Sequence, residues 1–272
     1  MNYRHAFHAG NFADLVKHAA LLALLERLQA SGPLAVIDTH AGRGLYDLAG
    51  PEAQRSGEAA AGIVQLIAAK DAPPAFTALK LAVQTLNPSG PPRSYPGSPW
   101  LIAQTLRATD RYLACELRPD EHAALRETLK GKANVRTLCA DGYEAAVRET
   151  PTAGAVLVLI DPPFERADDY EAIVRTVQAV RRRNPAAVVL AWLPLKDLET
   201  FDAFRRALED AVDGPGLIAE TRMRPLDDPM RMNGCALALV PGPLDLAPIL
   251  EAACGWTAGA LGDRGFARVY RL

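Results

Sequence analysis

The residue types best suited to chemistry follow one apolar stretch near the middle of the chain. Residues 156–160 are a continuous run of Val, Leu and Ile, which is typical of a strand buried on both faces of a parallel sheet. Asp161-Pro162-Pro163-Phe164 comes directly after this run. Because proline cannot donate a hydrogen bond to a neighbouring strand, the chain is predicted to leave the sheet there. The Asp161 carboxylate is therefore expected at the carboxyl edge of the sheet, where open α/β folds bind ligands.

A carboxylate in this place suits the methylation of an exocyclic amine on a nucleobase. The lone pair of such an amine is delocalised into the ring, so the nitrogen is a poor nucleophile. Asp161 and a backbone carbonyl can each accept one of the two N–H groups, which orients the amine, and the Phe164 ring can stack on a flipped-out base. The alternative is a strand that simply ends in a Pro-Pro turn, and a tetrapeptide alone does not decide between the two.

Three further acids are predicted at the ends of strands in the same sheet. They are Asp38 after residues 34–37, Glu116 near the end of residues 111–117, and Asp141 after residues 135–139. In a nucleoside site, the acid that ends the second strand takes the ribose hydroxyls, and an acid after the third can take the adenine amine. The turn from Gly42 to Gly44 allows a close backbone approach, but it lacks the third glycine of the dinucleotide fingerprint.

Strand and helix patterns alternate along the chain and predict a doubly wound α/β sheet. Asn11 is predicted to cap a helix over residues 12–30. Residues 46–95 interrupt the alternation, because they contain helical patterns where the next strand should come. We interpret them as a helical subdomain within a single domain over residues 1–272. The two helical patterns are at residues 56–70 and 74–86.

The remaining elements follow from turn and capping signals. Ser98 is predicted as the N-cap of a helix, with Pro99 at the first helical position. Residues 217–223 and 235–240 are expected to form a hairpin-like pair joined by a long polar loop. A helix near residues 244–254 and a short tail are expected to end the chain.

Composition limits the class of protein. A chain of 272 residues with 49% apolar residues can bury the core of one large α/β domain. A net charge of −2 argues against non-specific coating of nucleic acid, although a local basic patch is compatible with it. We see no signal peptide and no membrane span, and four cysteines without C-x-x-C spacing predict reduced, buried thiols in a cytoplasmic protein. These are Cys115, Cys139, Cys235 and Cys254.

Several blocks together resemble the bacterial 23S ribosomal RNA adenine-N6 methyltransferases of the J type. The blocks are Tyr3-Arg4-His5 and residues 7–11, 15–18, 38–42, 95–99, 140–142 and 161–164. The resemblance extends over essentially the whole chain, including the inserted helices. It implies a Rossmann-like enzyme that uses S-adenosylmethionine to methylate the N6 of an adenine in 23S ribosomal RNA. The RNA would be naked or part of an early assembly intermediate.

The resemblance also implies roles for single residues. Asp161 would accept the hydrogen bond of the target amine. The cofactor site would be lined by His18, His40, Ser98, Glu116, Asp141, Gly142 and Asp161. The substrate would meet Tyr3, His5, Lys17 and Phe164. Phe164 stands where the family usually has Tyr, so stacking is kept and a hydroxyl hydrogen bond is lost.

Several of these residues have a simpler interpretation. Lys17 could lie on an exposed helix face, as most lysines do. His5, His8 and His18 could be metal ligands, but they lack a firm spacing, and we expect no metal. Asp141 could serve only as a turn residue before the next helix.

The sequence also leaves other functions open. A DNA adenine-N6 methyltransferase would share the site, although no extra target-recognition domain is visible. A protein-glutamine or small-molecule methyltransferase could use a similar Pro-Pro motif. A non-catalytic RNA-binding module would not need four acids at strand ends. The sequence indicates no membrane association and no obligate protein partner.

Overall fold

Ten strands are present in residues 5–228 and 230–272, which this computed structural model describes. They are β1 (Leu34–Asp38), β2 (Leu45–Asp47), β3 (Ser94–Pro96), β4 (Arg111–Cys115), β5 (Val135–Leu138), β6 (Ala155–Ile160), β7 (Val188–Leu195), β8 (Leu217–Arg222), β9 (Gly234–Val240) and β10 (Phe266–Arg271). Eight of them form one mixed sheet in the order β10-β8-β9-β7-β6-β1-β4-β5, while β2 and β3 pair separately.

Five neighbouring strands of this sheet run parallel, namely β5, β4, β1, β6 and β7. Numbered along the chain among themselves, they have the order 3-2-1-4-5 of the doubly wound nucleotide-binding folds. The order reverses between β1 and β6, so the crevice outside the carboxyl ends of these two strands is the place where such a fold binds ligands. The predicted doubly wound sheet with a helical insertion after its first strand is confirmed.

The sheet continues beyond β7 as an antiparallel extension. The predicted pair exists as β8 and β9, and β9 lies between β7 and β8. The expectation of a short tail after the last helix is wrong, because β10 pairs with β8 at the edge of the sheet. Most of β10 is only half-buried or exposed, so its sequence lacks the apolar run by which the buried strands were found.

Eleven α-helices are seen in the described residues. They are α1 (Phe12–Gln29), α2 (Pro51–Ser56), α3 (Glu58–Ala61), α4 (Ile63–Ala68), α5 (Thr77–Leu86), α6 (Ser98–Thr105), α7 (Pro119–Thr128), α8 (Gly142–Glu149), α9 (Asp169–Arg183), α10 (Leu198–Ala211) and α11 (Ala247–Leu261). Helices α1, α6, α7 and α11 cover one face of the sheet, and α8, α9 and α10 cover the other. No helix among the described residues is long and apolar enough to span a bilayer.

Helix α1 is buried between the sheet and the inserted helices. Asn11 caps it as predicted, because its side chain accepts the backbone N–H of Asp14 at 3.0 Å. Leu21 and Leu24 pack toward the sheet, whereas Leu15 joins a separate apolar cluster with α3, α4 and α5. The buried polar residues of the helix, Asp14, Lys17 and His18, all have hydrogen-bond or ion-pair partners.

The insertion differs in detail from its prediction. The helical pattern over residues 56–70 is broken between α3 and α4 at Gly62. A Cβ on Gly62 would lie 2.1 Å from the carbonyl oxygen of Gly10, so only glycine lets the insertion approach the N-terminal segment so closely. The ribbon of β2 and β3, which closes the insertion, was not expected from the sequence.

Two local predictions are wrong. Gly97, and not Ser98, is the N-cap of α6, so Pro99 is the second helical residue and not the first as predicted. The Ser98 hydroxyl donates instead to the buried carboxylate of Asp38 at 2.8 Å. Cys139 is exposed, because it lies one residue beyond the end of β5, whereas Cys115, Cys235 and Cys254 are buried.

Candidate active site

A cavity of about 490 Å³ opens at the carboxyl edge of the parallel strands. Segments that follow β1, β4, β5, β6 and β7 line it together with the N-terminal segment. All the proposed site residues that the structure describes lie in its wall, namely His5, Lys17, His18, His40, Ser98, Glu116, Asp141, Gly142, Asp161 and Phe164. Tyr3, with Arg4 beside it, lies outside the described residues.

Asp161 lies at the end of β6, as the Pro-Pro turn predicted. Ile160 before it is fully buried, and the Asp161 side chain is 17% exposed toward the cavity. Phe164 has a φ of 50°, in the left-handed region that side chains other than glycine rarely adopt. Its ring packs on Tyr170, with 4.9 Å between ring centroids, and on Trp192 at 5.8 Å. The ring packing compensates a backbone conformation that costs about 1–3 kcal/mol.

Lys17 joins α1 to Asp161. Its Nζ lies 2.8 Å from Asp14 Oδ1 and 2.5 Å from Asp161 Oδ2. Burial would lower the pKa of Lys17, but the carboxylates of Asp14 and Asp161 raise that pKa well above its usual value. The alternative of an exposed helix face is wrong for Lys17, whose side chain is 5% exposed.

Asp14 was not recognised in the sequence, although it holds this arrangement together. Its Oδ2 accepts the backbone N–H of Gly10 at 2.9 Å and lies 3.1 Å from Nε2 of His5. Burial would raise the pKa of Asp14, yet Lys17 and His5 hold it well below its usual value. The available signal was an acid and a lysine three residues apart, an i,i+3 pair in the largely apolar first half of the helix.

Glu116 and Leu117, which follow β4, form another part of the cavity wall. The two carboxylate oxygens of Glu116 accept the backbone N–H groups of Gly42 at 2.9 Å and Arg118 at 2.8 Å. Burial raises the pKa of Glu116. Leu117 lines the cavity and is 62% exposed. A carboxylate beside an uncovered apolar side chain fits the ribose and base of a nucleoside such as that of S-adenosylmethionine.

Asp141 and Gly142 begin α8 at the cavity. One oxygen of Asp141 caps the helix by accepting the N–H groups of Tyr143 at 2.9 Å and Glu144 at 3.2 Å. The other oxygen lies 3.4 Å from Nη1 of Arg166, so Asp141 is more than a turn residue. A Cβ on Gly142 would lie 1.8 Å from the carbonyl oxygen of Thr39, and only glycine permits this contact between α8 and the loop after β1.

Two histidines of the site are uncharged near neutral pH. Nδ1 of the buried His18 lies 2.8 Å from the Tyr95 hydroxyl, and burial lowers the pKa of His18 to about 3. Nδ1 of His40 lies 2.7 Å from Oγ1 of Thr39, and burial lowers the pKa of His40 to about 4. Both imidazoles can therefore offer hydrogen bonds without bringing a positive charge to the cavity.

Glu58 of the insertion contacts the N-terminal segment. His8 Nδ1 lies 2.8 Å from Glu58 Oε1, and Asn11 Nδ2 donates to Glu58 Oε2 at 2.9 Å. The hydrogen bond to Glu58 raises the pKa of His8. Since His5 and His8 lie against different carboxylates, they are not gathered at one point. In the part of the chain described, no three His, Cys, Asp or Glu side chains are close enough together to hold a metal ion.

Comparisons with known proteins add a second line of support. The profile of a family described as ribosomal RNA large subunit methyltransferase D, RlmJ, matches residues 31–271. The chain is 32% identical over 250 residues to ribosomal RNA large subunit methyltransferase J of Haemophilus influenzae, covering 90% of this chain and 89% of that protein. Against the Escherichia coli protein of the same name, it is 35% identical over 197 residues, covering 72% and 70%. A crystal structure of a Legionella pneumophila protein, 26% identical, superposes with a TM-score of 0.87 over 97% of this chain and 98% of that one.

Proposed function

Because the chain belongs to the RlmJ family of large-subunit ribosomal RNA methyltransferases, we propose that its cavity methylates the N6 of an adenine in 23S ribosomal RNA. The chain is a methyltransferase that depends on S-adenosylmethionine. The assignment of the methyl group to N6 rests on Asp161, a carboxylate at the end of β6 that faces the cavity. The family does not support the alternatives of a DNA, protein or small-molecule methyltransferase.

S-adenosylmethionine supplies an electrophilic methyl group when it is bound. We place its ribose at Glu116, where charge-assisted hydrogen bonds are about twice as strong as neutral ones. Its adenine would lie on Leu117 with its amine toward Asp141. The other residues proposed to line this part of the cavity are His18, His40, Ser98, Gly142 and Asp161.

Asp161 orients the target amine in this proposal. Lys17 donates to Oδ2 of Asp161, and among the described residues none hydrogen-bonds to Oδ1, so Oδ1 is available to accept an N–H of adenine. Fixing both N–H groups pushes the nitrogen lone pair toward the methyl group, and positioning of this kind is a large catalytic term. Phe164 stacks on the base, and Tyr3, His5 and Lys17 complete the substrate side.

The setting of the reaction is also a proposal. The enzyme would act in the cytoplasm on 23S ribosomal RNA, either naked or in an early assembly intermediate. It would need no membrane and no obligate protein partner. Residues 46–95 would act as a subdomain within one domain over residues 1–272, since the buried side chains of the insertion pack with α1 in a cluster separate from the two that cover the sheet.

Methyl transfer to defined nucleic acids tests the function. The purified chain is incubated with radiolabelled S-adenosylmethionine and unmodified 23S ribosomal RNA, with 16S ribosomal RNA and duplex DNA as controls. We expect N6-methyladenosine at one position of the 23S RNA and little label in the controls. Equal labelling of DNA, or a methylated nucleoside other than N6-methyladenosine, would contradict the proposal.

A further inference from the structure

Three basic residues lie at the same end of the strands as the cavity, beside the antiparallel part of the sheet. Lys196 follows β7, Arg224 follows β8, and Arg264 precedes β10. The strand registers place these positions together, because Leu195 pairs with Gly234, Gly234 with Arg222, and Arg222 with Phe266. We call Lys196, Arg224 and Arg264 the basic edge.

Hydrogen bonds to backbone carbonyls connect the three positions in a continuous row. The side chain of Asn233 donates to the carbonyl of Lys196 at 3.0 Å. The carbonyl of Asn233 accepts the N–H groups of Met223 at 2.8 Å and Arg224 at 3.3 Å. The carbonyl of Met223 in turn accepts the N–H of Asp263 at 2.8 Å, one residue before Arg264. The edge is therefore built on anchored backbone.

This row begins at the cavity and leads away from it. Lys196 and Met232 both line the cavity wall. Since neighbouring strands are roughly 5 Å apart, β8 and β10 lie about 10 and 15 Å to the side of β7. A nucleic acid strand whose base enters the cavity can continue along this row.

The charged side chains of the basic edge have no ionic partner among the described residues. All three side chains are exposed, and within the described chain their charged ends make no hydrogen bond or ion pair. Nearby arginines differ, because Arg222 and Arg268 are held by the buried Glu220 and Arg231 pairs with Asp228. Three cations without an ion-pair partner in the described chain thus lie beside the cavity, although the whole chain has a net charge of −2.

We infer that the basic edge binds the phosphates of the RNA strand that flanks the target adenine. The inference rests on the proposed function, because it takes the occupant to be ribosomal RNA. Cations on a polyanion supply affinity without reading sequence, and each phosphate contact adds to the salt dependence of binding. The basic edge would thus raise RNA affinity and leave the chemical step unchanged.

Arg271 provides a matched control. It lies at the far end of β10, the strand that Arg264 precedes, and it is also exposed. It pairs with Leu217 at the other end of β8, so it stands at the opposite edge of the sheet, away from the cavity. Arg271→Gln removes one surface charge of the same kind without touching the basic edge.

The test compares wild type, Arg271→Gln, and the triple variant Lys196→Gln, Arg224→Gln, Arg264→Gln. Methylation of protein-free 23S ribosomal RNA transcribed in vitro is measured from 50 to 200 mM KCl, and RNA binding is followed by filter retention. We expect the triple variant to raise the KM for RNA on the order of tenfold and to reduce the slope of log affinity against log salt by about 2–3. The double variant Arg224→Gln, Arg264→Gln leaves the cavity-lining Lys196 in place. It should change KM and the salt slope in the same direction, with kcat and the affinity for S-adenosylmethionine at wild-type values.

The outcomes separate this inference from the function itself. Wild-type turnover on the RNA supports the proposed function whatever the triple variant does. Equal KM values and equal salt slopes for all four proteins would overturn the assignment of the basic edge. A defect seen only with ribosomal particles, and not with protein-free RNA, would assign the surface to a protein partner and overturn it as well.

Discussion

Lys17 lies between two carboxylates and is almost completely removed from solvent. A lysine buried in this way stabilises the fold only while both partners remain, because each unpaired charge would keep its cost of desolvation. The same contacts fix the position of Asp161 at the cavity. At the scale of single residues, stability and the proposed chemistry therefore depend on the same ion pairs.

Asp161→Asn tests the proposed role of the carboxylate. The change keeps the size of the side chain but removes its charge, and its NH₂ group can face the target amine donor to donor. We expect the single-turnover rate at saturating RNA and cofactor to fall by ~10²–10⁴-fold, whether the carboxylate only orients the amine or also accepts its proton. Cofactor affinity should change much less, since Glu116 and Asp141 carry the proposed nucleoside contacts. A rate close to that of wild type would return the tetrapeptide to the role of a strand-ending turn.

Lys17→Met tests the buried ion pairs. It leaves Asp14 and Asp161 without their cation, so we expect the free energy of unfolding in urea to drop by about 3–5 kcal/mol. Lys130→Met is the control, because Lys130 pairs with Glu127 at 3.3 Å on the surface, where such pairs contribute about 0–1 kcal/mol. Similar losses of unfolding free energy in the two variants would show that the buried ion pairs of Lys17 stabilise the fold no more than a surface pair does.

At the scale of elements, the site depends on how closely helices approach the loops at the end of the sheet. Helix α8 starts against the carbonyl of Thr39, and the break between α3 and α4 lies against Gly10. Both contacts need a glycine. The sequence shows these glycines, but it does not show which backbone lies opposite them.

Gly142→Ala tests the contact at α8. The added methyl group would lie 1.8 Å from the Thr39 carbonyl oxygen, so α8 and its cap Asp141 must move. We expect titration calorimetry to show S-adenosylmethionine binding weakened by roughly tenfold or more, equivalent to ~1.4 kcal/mol. Gly255→Ala in α11 is the control, because nothing lies within 4 Å of the added Cβ there. If both variants bind the cofactor equally well, the close contact has no role in shaping the site.

The elements that could be predicted are those with strong local signals. The buried run at β6, the cap at Asn11 and the acids at strand ends each follow from a few neighbouring residues. The ribbon of β2 and β3 and the edge strand β10 were missed, because neither has a continuous apolar run. Glu58 was missed as a site residue because its partner His8, 50 positions away, is brought to it only by the fold. Asp14 was missed although Lys17 follows it three positions later, because the sequence does not show that this pair is buried at the cavity.

At the scale of the whole molecule, the site lies where the strand order of the doubly wound sheet reverses, between β1 and β6. Burial there shifts the pKa of an acid that ends one of these strands. Asp38 ends β1 with no exposed surface, and burial raises its pKa to about 7. The Ser98 hydroxyl donates to it at 2.8 Å, which opposes that shift without cancelling it. The stability of the whole fold should therefore depend on pH near neutrality.

Asp38→Asn tests this pH dependence. Between about pH 4, the usual pKa of an unfolded aspartate, and pH 7, the folded chain binds a proton at Asp38 that the unfolded chain has lost. This contribution to the free energy of unfolding therefore falls as pH rises through that window. The asparagine does not titrate, so the variant lacks this loss. We therefore expect its free energy of unfolding in urea, relative to that of wild type, to increase from pH 5 to pH 8. Parallel curves for the two proteins would contradict the raised pKa.

The contact between Lys17 and Asp161 also sets an order in time. The two residues are 144 positions apart, and a ribosome that adds about 5–20 residues per second needs roughly 7–30 s to travel from one to the other. During that interval the nascent α1 already carries Lys17 and Asp14, but the second carboxylate has not been made. The reactive end of the cavity is thus completed only after more than half of the protein has been synthesised, so a chain that stops earlier cannot form the proposed site.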